Sequence, residues 1–181
     1  MSSVTTATPD ATLAPRLNWL RAGVLGADDG IVSTAGLVFG VAGATSDSLA
    51  LFIAAAAGVV AGALSMGGGE YVSVSAQRDT ERAALGLPAH QQTSPWQAAF
   101  ASTSAFTLGA LIPLLAIVLA PVPIRLPVTL IAVMVALVTT GYASARLGGT
   151  APGRPILRNV VVGGLAMGLT YLAGSLVGLT L

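Results

Sequence analysis

Five apolar runs, each near the ~20 residues that a helix needs to cross a hydrocarbon core, occupy most of this chain. They lie at about 21–45, 49–77, 97–120, 126–146 and 157–181, with short connections between them. In lipid every backbone amide and carbonyl must be paired within the protein, so only helices or closed barrels can span. The length of these runs selects helices. Only 8% of the residues are charged and 54% are hydrophobic, against about 25% charged in an average soluble domain. The expected fold is therefore an all-α integral membrane protein with five transmembrane helices over residues 20–181. Residues 1–19, polar and rich in Ser, Thr, Ala and Pro, read as a disordered N-terminal arm.

The remaining composition narrows the function classes. A net charge of +1 gives no electrostatic footprint for nucleic acid. No phosphate-binding loop occurs, so neither a nucleotide partner nor ATP-driven pumping is supported. The absence of cysteine removes disulfides, thiolate metal sites and cysteine nucleophiles, and the single histidine, His90, lies in a connection. Nothing in the chain suggests an enzyme.

Arginine placement sets the expected orientation. With the N-terminus in the cytosol, Arg16, Arg21, Arg78, Arg82, Arg146, Arg154 and Arg158 fall inside and only Arg125 falls outside. This is a clear positive-inside bias, and it leaves the C-terminus outside. Trp19 and Trp96 then both reach the inner interface, where indoles are favoured. Glycines four apart recur as Gly26/Gly30, Gly36/Gly40, Gly58/Gly62, Gly164/Gly168 and Gly174/Gly178. Such pairs let helix backbones approach closely in lipid, which suggests a tight and oligomeric bundle.

Against this apolar background two adjacent acids, Asp28 and Asp29, stand inside the first run. An acid within a membrane segment is costly and marks a functional site by default. In the second run Gly58, Gly62, Met66 and Glu70 follow at four-residue steps and share one helix face. Asp29 is eight residues past Arg21, and Glu70 is eight before Arg78. If both arginines mark the inner interface, both acids lie about 12 Å deep. Asp29, Ser33, Met66 and Glu70 then converge if the two helices pack through their glycine faces. Asp28 cannot share the face of Asp29, since neighbours on a helix are about 100° apart. Plainer readings stay open: Asp29 as the cap of a helix beginning at Gly30, Glu70 as an interfacial acid, and Met66 as packing.

Carboxylate, thioether and hydroxyl together suit a divalent transition metal, because a soft sulfur disfavours magnesium and calcium. A buried carboxylate also has raised proton affinity, which is the minimum machinery for metal–proton exchange. The metal is cargo here, with no permanently bound cofactor. The connection 78–95, with Asp79, Glu81 and His90 among arginines, reads as a solvated loop.

The stretches LRAGVLGADDGIVSTAGLVFGVAGA, AGALSMGGGEYVSVSAQRDTE and SARLGG resemble the vacuolar iron transporter (VIT) family in its bacterial form. The resemblance covers all five helices. It implies a homodimer that exports Fe²⁺, or in some members Mn²⁺, from the cytosol in exchange for protons, along a pathway at the dimer interface lined by the first helices. It places the pathway aspartate on Asp29 and the pathway methionine on Met66. Asp28 stands where the bacterial motif usually has asparagine, and Gly58 where the plant iron transporters have glutamate. A short loop replaces the Glu- and Met-rich cytosolic metal-binding domain of many members.

The resulting expectation is an Fe²⁺/Mn²⁺–proton antiporter in a bacterial inner membrane. Its metal site comprises Asp29, Met66, Glu70 and Ser33, with Asp28 attracting cations at the inner mouth. The alternative is a non-transporting membrane protein that binds metal or scaffolds a partner.

Overall fold

The computed structural model describes residues 13–88 and 92–180. Five helices make up the fold: α1 (Leu13–Ala44), α2 (Ser48–Leu85), α3 (Pro95–Leu119), α4 (Arg125–Leu147) and α5 (Gly153–Gly178), with a 3₁₀ turn at Val122–Ile124 before α4. Each contains a stretch long and apolar enough to cross a membrane. The chain is thus an all-helical integral membrane protein.

Two helix ends differ from the sequence expectation. First, α1 begins at Leu13, so the last part of the segment read as a disordered arm is helical. Pro15 falls within the first turn, where an amide hydrogen would have no helical partner anyway. The earlier part of that arm, residues 1–12, lies outside the described residues. Second, α2 runs 38 residues to Leu85, roughly 57 Å at 1.5 Å per residue, so the first half of the supposed loop 78–95 is helix. Six of the eight residues of RDTERAAL, all but Asp79 and Thr80, are good helix formers. Gln77 donates to Glu81 one turn on (2.9 Å), and Gly86, at φ 61°, supplies the left-handed C-cap. Glu81 then accepts from the backbone amide (2.8 Å) and hydroxyl of Thr93, and Arg78 donates to Gln92. The connection is an ordered turn that holds the start of α3. His90 lies outside the described residues.

Helix α1 is the hub. It packs most extensively on α3 and α5 and more lightly on α2 and α4, while α2 leans mainly on α3. One core cluster joins Ala22, Val74 and Ala98, and another joins Val38, Leu51, Ala55 and Ile117. Helix α2 is therefore antiparallel to α1, and α3 is parallel to it. Every arginine but Arg125 falls at the end of the bundle where α1 starts. Arg125, at the opposite end, is 6% exposed. It donates to the Ser46 carbonyl (2.7 Å) and the Ser48 hydroxyl (3.0 Å), clamping the α1–α2 turn to α4. Its position is explained by that clamp.

The glycine pairs are mostly used inside the chain. A Cβ on Gly30 would overlap the carbonyl oxygen of Phe106 on α3, and one on Gly174 would overlap the carbonyl of Gly40. Gly26, Gly36, Gly40 and Gly43 likewise meet α3 or α5. Three of the five pairs, Gly26/Gly30, Gly36/Gly40 and Gly174/Gly178, thus serve the close approach of α1 to α3 and α5 within one chain.

Candidate functional site

Between α1, α2 and the tip of Phe106 on α3 lies a cavity of about 310 Å³. Asp29, Ser33, Thr34 and Leu37 line it from α1, and Gly58, Gly62, Ser65 and Met66 from α2. The four-residue spacing of the α2 set puts bare backbone along one half of the wall and a thioether and hydroxyl along the other. A Cβ at Gly58 would strike the Leu37 side chain, and one at Gly62 would strike the Phe106 ring. The glycines therefore keep the space open. Asp29, Ser33 and Met66 are brought together here as the sequence suggested. Helix α1 also presents an open stripe at every fourth residue, Arg21, Leu25, Asp29, Ser33 and Leu37, all exposed.

Glu70 does not line this cavity. Its carboxylate is buried and accepts from Nη2 of Arg21 at 3.2 Å. The cause is register. Equating Arg21 with Arg78 assumed that both stand at one interface, but α2 continues helically past Arg78. Helix α2 is slid toward the arginine-rich end, and Arg21 meets the residue eight positions before Arg78.

Asp28 points elsewhere, as the 100° offset requires. It accepts hydrogen bonds from the Thr140 hydroxyl of α4 and from Nδ2 of Asn159 on α5, the latter 3.0 Å from each carboxylate oxygen. It faces a second crevice, of about 440 Å³, that also touches Arg21, Ser144 and Arg158. The two adjacent acids thus diverge to opposite flanks of α1. Asp28 is tied into a helix-joining polar network, and it does not stand at the mouth of the Asp29 cavity. Asn159 and Thr140 were not singled out from the sequence. The available signal was an asparagine inside an apolar helix, which needs a partner as an acid does.

Among the described residues two buried hydroxyls, Thr34 Oγ1 and Ser102 Oγ, have no hydrogen-bond partner. Thr34 is the one that touches the Asp29 cavity. Among the described residues no group of three or more His, Cys, Asp or Glu side chains is gathered to hold a metal ion. A cation in this cavity would meet one carboxylate, one thioether and several hydroxyls. That donor set gives a weak, releasable hold, which suits a transit site better than a permanent one.

Comparison with known proteins gives matches along nearly the whole chain. The VIT family model matches residues 20–89 and 82–175. Vacuolar iron transporter homolog 5 of Oryza sativa subsp. japonica is 45% identical over 167 residues, covering 88% of this chain and 80% of that protein. Vacuolar iron transporter homolog 4 of Arabidopsis thaliana is 42% identical over 170 residues, 90% of this chain and 86% of the relative. Homolog 2.1 from the same plant is 39% identical over 175 residues, covering 86% and 80%.

Proposed function

The chain belongs to the VIT family, and from that premise we propose that it exports Fe²⁺ or Mn²⁺ from the cytosol by proton antiport. The observation that carries the reading is the cavity shared by Asp29, Ser33 and Met66. Asp29 supplies the negative charge and takes up a proton as the cation leaves. Met66 supplies a polarizable sulfur that separates transition metals from magnesium and calcium. Ser33 and Ser65 supply neutral oxygens. Glu70 acts through Arg21 and the packing of α1 on α2, outside the immediate ligand set.

The working unit in this reading is a homodimer. The open α1 stripe places Asp29 and Ser33 on a surface that a second α1 can cover, so that the pathway closes between two protomers. The arginine-rich end faces the cytosol, in line with the positive-inside bias. The C-terminal end of α5 then faces outward. The bacterial form of the motifs supports residence in a bacterial inner membrane.

The test is reconstitution. Proteoliposomes carrying the purified chain should take up Fe²⁺ and Mn²⁺ when an opposing proton gradient is imposed, and should move protons the other way. Metal binding without flux at any gradient would favour the non-transporting alternative.

A further inference from the structure

A threonine inside a helix usually bonds its hydroxyl to a carbonyl one turn back, and this protein follows the habit closely. Thr80, Thr107, Thr129, Thr139 and Thr170 each donate to the carbonyl four residues earlier, at 2.7–3.0 Å. Thr140 donates to Asp28 and to the carbonyl of Leu137, and Thr103 reaches across to the Ala63 carbonyl. Thr34 is the exception among the described helical threonines. It is 1% exposed, and its hydroxyl has no partner.

A buried, unpaired hydroxyl is destabilising, and valine would fill the same volume without that penalty. Among the described residues the one helical threonine that leaves its hydroxyl unpaired lies against the Asp29–Met66 cavity. Ser102, whose hydroxyl is also unpaired, sits in the tight α1–α3 contact under Gly26 and does not line this cavity. Its position gives it no cargo to meet.

We propose that Thr34 is a specificity residue that donates its hydroxyl oxygen to the divalent cation passing the Asp29–Met66 cavity. A step of roughly 120° in χ1 carries the hydroxyl into the place of the methyl while the methyl moves to the place of the hydrogen, so the oxygen can enter the cavity as the ion sheds water. A hard oxygen opposite the soft sulfur of Met66 favours Mn²⁺ over Zn²⁺ relative to the same site without it. The inference rests on the transport reading above.

The experiment compares parent, Thr34→Val, Thr34→Ser and Asp29→Asn in proteoliposomes, with Mn²⁺ and Zn²⁺ as the probes and melting of the metal-free protein in detergent as a second readout. Thr34→Val should raise the half-saturating Mn²⁺ concentration about fivefold, the order of one lost polar contact, and shift Zn²⁺ clearly less. Thr34→Ser should stay close to the parent for both ions. Metal-free Thr34→Val should melt no lower than Thr34→Ser. Unchanged Mn²⁺ and Zn²⁺ dependence in Thr34→Val, with Asp29→Asn inactive, overturns this inference and leaves the transport reading intact. A collapse in melting or folding confined to Thr34→Val also overturns it, because the hydroxyl would then serve the protein. A parent that carries neither ion overturns both.

Discussion

Arg21 on α1 and Glu70 on α2 form an ion pair of 3.2 Å in which the carboxylate is 7% exposed and the guanidinium 53%. The two partners are therefore unequal. Without Glu70 the arginine still reaches water. Without Arg21 the acid is left buried beside apolar helices, and stranding a buried charge is the costly half of breaking such a pair.

The expected outcome is asymmetric. Arg21→Gln should destabilise the protein by about 1–3 kcal/mol, Glu70→Gln by clearly less, and the double variant should recover most of the Arg21→Gln loss. Melting of the purified variants in mild detergent measures this. If Glu70→Gln folds like the parent yet abolishes Mn²⁺ flux, the acid is a direct ligand and its assignment to the ion pair alone is wrong.

Asp28 and Asn159 share two contacts of 3.0 Å between α1 and α5. Asp28→Asn keeps a carbonyl acceptor, and a flip of the Asn159 amide can restore a donor–acceptor match. Asp28→Asn should therefore stay close to the parent in both stability and transport. Asn159→Leu removes the donor and leaves the carboxylate short of partners, at an expected loss of about 1–3 kcal/mol. Equal melting of Asn159→Leu and the parent would show that the network contributes nothing.

Much of this arrangement is legible in the sequence, and the reasons differ by residue. The five spans follow from the internal hydrogen-bonding demand of lipid, which leaves a long apolar run no other structure. The four-residue periodicities put Asp29 and Ser33 on one face of α1 and Gly58, Gly62 and Met66 on one face of α2, and the cavity forms where those two faces meet. The partner of Glu70 was not readable, because register between helices is fixed by packing, and Arg78 is a poor interface marker once α2 continues to Leu85. The segment after Arg78 has the charge density of a solvated loop, yet most of its residues favour helix, and α2 runs through it to Leu85. Asn159 and Thr140 were missed for the opposite reason: each is a lone polar residue in an apolar helix, and only the fold shows that both face Asp28.

Glycine positions divide by what surrounds them. A Cβ at Gly30 would overlap the Phe106 carbonyl, whereas nothing lies within 4 Å of one at Gly68. Gly30→Ala should cost about 1–3 kcal/mol through overpacking of α1 against α3. Gly68→Ala should be neutral or stabilising by up to ~1 kcal/mol from helix propensity. A Gly68→Ala variant that folds but no longer assembles would reveal a close neighbour on that face.

Met66→Leu roughly conserves volume, an exchange that usually costs less than about 1.5 kcal/mol, and removes the sulfur that, among the described residues, lines the Asp29 cavity. Folding should survive while Fe²⁺ flux falls and the preference moves toward harder cations. Asp29→Asn, which removes the charge and the proton acceptor together, should abolish flux. Initial rates with Fe²⁺, Mn²⁺ and Mg²⁺ in competition provide the measurement. If Asp29→Asn transports normally, the cavity is a packing defect and the path lies elsewhere.

Assembly can be tested without background, since the chain has no cysteine. On the open face of α1, Leu25 and Ser33 are exposed, whereas Gly26 is pressed against the carbonyl of Ser102 and cannot accept a side chain there. Leu25→Cys and Ser33→Cys should each cross-link two copies in membranes under mild oxidation. Cysteine needs its Cα within about 7 Å of its partner to bridge, so cross-linking at both positions would define α1 against α1. Leu165→Cys on α5, also exposed in the single chain, is the control for random collision and should stay uncross-linked. Dimers from Leu165→Cys and none from Ser33→Cys would move the interface to α5 and leave the Asp29 cavity facing lipid. A charged site open to hydrocarbon could not then serve as a pathway.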